Sequence, residues 1–70
     1  MRRAEIVRGG VYGDGRGGLR RVIGEADTRY RHQKDRDTIQ YEVLEGRRQG
    51  GRFTMTRNAF ARWAAERVAR

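Results

Sequence analysis

The supply of large apolar side chains limits what this chain can fold into. Only 18 of its 70 residues are Val, Ile, Leu, Met, Phe, Trp or Tyr, and seven alanines complete the apolar set. Ordering a chain costs about 1.5 kcal/mol per residue, so burial of this set and ordering of the chain should nearly cancel. The sequence therefore predicts one small domain over residues 1–70, with modest stability or with support from a partner or a second copy in a homodimer.

Apolar and polar residues alternate through most of the chain, which predicts short strands. The alternation is clearest in TIQYEVL, where Ile39, Tyr41 and Val43 share one face. Gly9 and Gly10 predict a bend or bulge in the first strand. Short connections favour antiparallel hairpins over crossovers. The strands are predicted at residues 5–12, 19–24, 28–32, 38–44 and 52–55.

The end of the chain changes to a helical period. Between residues 56 and 70 the apolar side chains recur at i, i+3, i+4 and i+8: Phe60, Trp63, Ala64 and Val68. We therefore expect a helix over about 57–69, with Thr56 as its N-cap. Opposite charges at i,i+4 favour the same helix, in the pairs Arg62–Glu66 and Glu66–Arg70.

A mainly β fold with one helix buries these apolar faces most economically. We expect a small antiparallel barrel or a curled sheet of four to five strands, with the C-terminal helix packed on it. The predicted core consists of the inward strand positions and the apolar face of the helix: Ile39, Tyr41, Val43, Phe53, Phe60, Trp63 and Val68.

Residues 13–18 read GDGRGG, which has the glycine spacing of a dinucleotide-binding loop. Such a loop needs a helix after it, because the helix N-terminus binds the pyrophosphate. Here LRRVIGE follows, with β-branched residues and no helical stripe. The glycines are better explained as residues that adopt positive φ at a hairpin tip. Arg16 projects from this tip, and Arg20 and Arg21 follow it.

Residue types that carry catalysis or bind metals are scarce. The chain has no cysteine, which excludes disulfides and thiolate metal sites, and a single histidine, His32. Asp35 and Asp37 lie beside Lys34 and Arg36, so mutual neutralisation explains them. We expect a non-enzymatic protein that uses no metal and no cofactor.

Positive charge is the strongest indication of function. The net charge is +8, and 16 of the 17 basic residues are arginine. Arginine presents a planar fork that matches phosphate, and it also stacks on aromatic faces. We therefore expect DNA or RNA as the partner. The arginines predicted to contact it follow the hairpins and the loop before the helix: Arg16, Arg20, Arg21, Arg29, Arg31, Arg47, Arg48, Arg52 and Arg57.

The same charge also suits an acidic protein surface. The alternative hypothesis is a protein-interaction module, or an inhibitor of a host complex such as an anti-CRISPR protein or one that binds a polymerase or nuclease. Ala61, Ala65 and Ala69 form a small-residue face that permits close approach of another protein. Free sheet edges favour the same hypothesis.

No stretch approaches the roughly 20 apolar residues that a membrane helix needs. The first ten residues, MRRAEIVRGG, contain no apolar run of the kind found in signal peptides. We therefore expect a cytoplasmic protein without a membrane partner.

Two stretches, GGVYGDGRGGLRRVI (9–23) and FARWAAERV (60–68), resemble small SH3-like or KOW-like β-barrels of the kind often encoded by phages, prophages and plasmids. The resemblance is one of architecture and covers most of the chain. It implies nucleic-acid or protein binding without catalysis, as in a phage or prophage regulator.

Overall fold

Antiparallel pairing of neighbouring segments organises this chain. The computed structural model describes residues 1–26 and 36–68. A short 3-10 turn at Arg3–Glu5 comes first. The strands and the helix follow in the order β1 (Val11–Gly13), β2 (Leu19–Glu25), β3 (Thr38–Glu45), β4 (Arg52–Thr56), α1 (Arg57–Trp63) and β5 (Glu66–Val68).

The five strands form one sheet in the order β4-β3-β2-β1-β5, and every pairing is antiparallel. This confirms the predicted mainly β fold with one helix towards the C-terminus. The sheet is not closed into a barrel, because β4 and β5 lie at its two edges. The predicted strands at 19–24, 38–44 and 52–55 match β2, β3 and β4 closely. The predicted strand at 28–32 lies outside the described residues.

The first strand is shorter than its predicted span of 5–12, because the side chain of Tyr12 binds the segment before it. The Tyr12 hydroxyl donates to the carbonyl of Glu5 at 2.6 Å and accepts from the Val7 N–H at 2.9 Å. Residues 5–7 therefore wrap around the phenol, whereas Gly9 and Gly10 still hydrogen-bond to Val22 of β2 through their backbone, at 2.8 and 2.9 Å. Gly10 permits this approach, since a Cβ there would lie 2.5 Å from the Tyr12 hydroxyl oxygen.

The helix is also shorter than predicted. Thr56 is the N-cap as expected, because its hydroxyl accepts from the Ala59 N–H at 3.1 Å. The helix ends at Trp63, however, and residues 66–68 form β5 on the free edge of β1. The predicted helix over 57–69 is wrong at residues 64–68, because pairing with β1 outweighs the helix propensity of the alanine-rich segment. The expected i,i+4 pair Arg62–Glu66 is lost with it, and Arg70, the other expected partner of Glu66, lies outside the described residues.

The core lies between α1 and one face of the sheet. Phe60 is fully buried, and its ring centroid lies 5.5 Å from that of Tyr12 and 5.6 Å from that of Tyr41. The cluster of buried residues comprises Ile6, Tyr12, Val22, Ile39, Tyr41, Val43, Phe60, Ala61 and Ala64. Of the other predicted core residues, Phe53 and Trp63 are half-buried and pack against the cluster, whereas Val68 is half-buried on β5 and outside it.

Replacing Phe60 with alanine should cost about 3–5 kcal/mol of unfolding free energy, because it deletes a fully buried ring. Trp63→Ala should cost less, since the Trp63 side chain is only half-buried. Urea unfolding of both variants measures the difference. Equal losses in the two variants would contradict this assignment of the core.

Candidate nucleic-acid interface

The glycine-rich segment is the tip of the β1–β2 hairpin. Gly15 and Gly17 adopt φ values of +78° and +92°, as the sequence predicted for such a tip. One carboxylate oxygen of Asp14 accepts from the N–H groups of Arg16 at 2.7 Å and Gly18 at 3.0 Å. These backbone donors, which a phosphate-binding loop would direct at its ligand, are therefore occupied by Asp14. A strand rather than a helix follows the tip, so the segment lacks both features of a dinucleotide loop.

Arg20 lies on the core face of β2. Its partner across the sheet is Val43, and its guanidinium carbon lies 4.0 Å from the ring centroid of Trp63 and 4.7 Å from that of Tyr41. One terminal nitrogen also lies 3.8 Å from the sulfur of Met55. Cation–π contacts of this kind stabilise an arginine without neutralising it. In the described part of the chain, no carboxylate forms an ion pair with Arg20.

A bulge in the sheet accompanies this placement. Leu19 lies opposite Glu45 and Arg20 lies opposite Val43, so Leu44 is the extra residue on β3. Bulges of this type increase the local twist and change the direction of nearby side chains. Arg20 is half-buried beside the bulge, whereas Arg21, the next residue, is exposed.

Two further arginines come from the loop between β3 and β4. Arg47 and Arg48 are both exposed, and the Arg48 guanidinium carbon lies 5.7 Å from the ring centroid of Phe53. Arg48 has a φ of +62°, which is uncommon for a residue with a side chain. Gly51 at the end of this loop lies directly against the Phe53 ring. A Cβ on Gly51 would lie only 2.7 Å from that ring.

These side chains surround a cavity of about 280 Å³. We call it the arginine–aromatic groove, and its lining consists of Arg20, Tyr41, Val43, Arg47, Arg48 and Phe53. Three guanidinium groups thus border two aromatic rings.

A second cavity of about 420 Å³ lies beside the hairpin tip. We call it the tip groove, and its lining consists of Asp14, Arg16, Arg62, Trp63, Ala64 and Ala65. Trp63 links the two grooves, because its ring also contacts Arg20. Arg62 was not among the predicted interface residues. The sequence placed Arg62 on the helix, but its proximity to Asp14 and Arg16 depends on how the helix packs against the distant hairpin tip.

Arg57 does not join this set. Its Nε donates to Asp37 at 3.2 Å, one terminal nitrogen donates to the Ile6 carbonyl at 2.9 Å, and the other forms an ion pair with Glu25. The hydrogen bond to Glu25 is the largest cause of the raised pKa of Arg57. The structure therefore gives Arg57 a structural role, since its three guanidinium nitrogens bind the protein itself. Its predicted contact with phosphate stays a prediction.

Arg21 and Arg52 lie on the opposite face of the sheet from the two grooves. The strand register places Glu42 directly between them, with Arg21 on one side and Arg52 on the other. Opposite charges at facing positions of neighbouring strands attract each other. Arg29 and Arg31 lie outside the described residues. Of the nine predicted arginines, the structure thus brings together Arg16, Arg20, Arg47 and Arg48.

Neither a metal centre nor a membrane span is found in residues 1–26 and 36–68. No group of three His, Cys, Asp or Glu side chains there could hold a metal ion. No helix in the same ranges is long and apolar enough to cross a membrane. Comparison with protein-family models, curated proteins and solved structures finds no match to this chain.

Arg57→Gln should lower the unfolding free energy, because its hydrogen bonds to two carboxylates are lost. Solvent screens part of this effect, so we expect a loss of about 1–2 kcal/mol. Arg62→Gln is the matched control, since Arg62 is exposed on the same helix and should change stability by less than about 0.5 kcal/mol. Thermal unfolding of both variants measures the contrast. Equal stabilities would show that the Arg57 cluster contributes nothing to the fold.

The hairpin tip should respond to acid. The N–H of Arg16, followed by that of Gly18, holds the pKa of Asp14 below its ordinary value of 3.8. A carboxyl whose pKa is depressed on folding stabilises the fold above its unfolded pKa, and this contribution is lost as pH falls through the folded pKa. In an acid titration followed by NMR, the amide protons of Arg16 and Gly18 should shift together below pH 3.8.

Asp14→Asn is the control for this titration, because it keeps an acceptor oxygen but cannot titrate. Persistence of the same shifts in Asp14→Asn would assign them to another group.

Proposed function

We propose that this protein is a non-enzymatic nucleic-acid-binding protein whose two grooves contact phosphates through arginine. One observation carries the proposal: five arginines from four separate segments converge on three aromatic rings. These arginines are Arg16, Arg20, Arg47, Arg48 and Arg62. Asp14 is the one acidic residue in the described lining of the two grooves, and its carboxylate binds backbone N–H groups.

Five arginines against one aspartate in the lining of the two grooves favour a polyanionic ligand. Arginine binds phosphate through paired N–H donors, and such charge-assisted bonds are among the strongest polar contacts. Arg20 is already held by Tyr41 and Trp63, so it loses little conformational freedom when a ligand binds. Phosphates entering the grooves would release counterions, and this supplies most of the non-specific affinity for nucleic acid.

The resemblance to small SH3-like or KOW-like barrels belongs to the same proposal. The described residues support the strand-and-helix order of that resemblance, with five antiparallel strands in one sheet and a short helix between β4 and β5, but not a closed barrel. An acidic protein surface is the competing partner, because it would meet the same guanidinium groups. Competition between polyglutamate and an oligonucleotide of equal charge separates the two partners.

The affinity for labelled oligonucleotides should fall steeply as salt is raised. With five phosphates neutralised, log K against log salt should have a slope of about −4.5 on duplex DNA and about −3.5 on single strands. Arg47→Gln/Arg48→Gln should flatten this slope by about 1.4 to 1.8, because two contacts are removed. Fluorescence anisotropy across a salt series measures the slope.

Arg2→Gln/Arg67→Gln is the matched control, because it removes the same charge from two exposed arginines outside both grooves. The control should retain the wild-type slope. If both double variants flatten the salt slope equally, the slope depends on net charge alone, and the assignment of the site is overturned. Absence of binding at low salt would overturn the function. Competition by polyglutamate as strong as that by an oligonucleotide of equal charge would favour the acidic protein partner.

A further inference from the structure

The arginine–aromatic groove has the size of a flat ring rather than of a double helix. It has a volume of about 280 Å³, and its lining combines three arginines with the rings of Tyr41 and Phe53. Duplex DNA, in contrast, is read by an element that enters its major groove, which is about 12 Å wide. The shape of this cavity therefore favours a ligand that enters it as a single group.

The described elements offer no recognition helix for a duplex. The helix α1 has seven residues and buries Phe60 and Ala61 in the core. Arg57 at its start is bound to Glu25 and Asp37. The helix thus uses its apolar face and its first arginine for the fold, which leaves the groove as the better candidate for contacts to bases.

Phe53 offers a surface on which a base can stack. Its ring is half-buried, lies 5.9 Å from that of Tyr41 at a tilt of 38°, and is backed by Gly51. The Arg48 guanidinium lies over it at 5.7 Å, close to the outer limit of about 6 Å for a cation–π contact. Aromatic rings and arginine planes both stack on bases, so a base can displace Arg48 from Phe53 and stack between them.

Arg20 supplies a fixed charge beside this surface. Its guanidinium lies over the rings of Tyr41 and Trp63, and Arg20 lines the groove beside Tyr41 and Phe53. A nucleotide has the matching arrangement, with a flat base and a phosphate linked through the sugar.

We propose that the groove binds one unstacked base of a single-stranded nucleic acid, with the base on Phe53 and an adjacent phosphate on Arg20. This inference depends on the proposed function and narrows it to single strands. It assigns a stacking role to Phe53, which the sequence analysis predicted only as a core residue.

The test compares an oligothymidylate with an abasic oligomer of equal length and charge, and with a duplex of the same length, at one low salt concentration. The oligothymidylate should bind about tenfold tighter than the abasic oligomer, since stacking contributes on the order of 1–3 kcal/mol per base. It should also bind tighter than the duplex. Trp63 is the sole tryptophan of the chain and contacts Arg20, so its emission should change when the oligothymidylate binds.

Phe53→Leu removes the ring and keeps an apolar side chain. The affinity for the oligothymidylate should therefore become nearly equal to that for the abasic oligomer, so that their ratio approaches one. The salt slope should stay unchanged, because no phosphate contact is lost. Phe53→Tyr is the matched control, since it keeps the ring and should keep the ratio. The comparison of ligands on the unmodified protein remains decisive if Phe53→Leu does not fold.

The outcomes separate this inference from the proposed function. Equal affinities for the oligothymidylate and the abasic oligomer would overturn base stacking and leave phosphate binding intact. Preference for the duplex, or binding without a change in Trp63 emission, would also overturn the inference. Failure of all three ligands to bind would overturn the proposed function itself.

Discussion

The packing of Phe60 against Tyr12 and Tyr41 holds the helix on the sheet, and the candidate interface depends on it. The three rings meet at centroid distances of 5.5 and 5.6 Å in edge-to-face geometry. Aromatic pairs of this geometry add to the free energy that burial alone provides. Because Trp63 follows Phe60 by one helical turn, the same packing places the Trp63 ring against Arg20. The stability of the fold and the geometry of the candidate site therefore depend on the same aromatic cluster, in a chain with few large apolar residues.

Arg20 and Arg57 show two ways of partly burying a guanidinium group, with opposite consequences for ligand binding. Arg57 is surrounded by Glu25, Asp37 and the Ile6 carbonyl, so its charge is neutralised within the fold. Arg20 instead lies on aromatic rings, which hold its position but leave its charge uncompensated. A partly buried cation without a carboxylate is suited to an anionic ligand, whereas a neutralised one stabilises the protein. Composition alone does not distinguish these two arginines.

The sequence predicted the fold class because alternation and turn glycines are local signals. The strand at Thr38–Glu45, the hairpin tip and the N-cap at Thr56 all follow from residues near one another in the chain. The helix end was not predictable in this way. Residues 66–68 favour a helix locally and become a strand because the edge of β1, about fifty residues earlier in the sequence, accepts them.

By itself, the sequence determined a small mainly β protein with a large excess of arginine and therefore a positive surface. Both properties follow from the residue types alone, through the count of charges and the alternation of apolar with polar residues. The tertiary structure alone decided which arginines lie together. It moved Arg57 into an ion-pair cluster, set Arg21 and Arg52 beside Glu42, and brought Arg62 to the tip groove. The physical reason is that the environment of a charge depends on contacts between distant segments, which strand register and packing fix only in the folded chain.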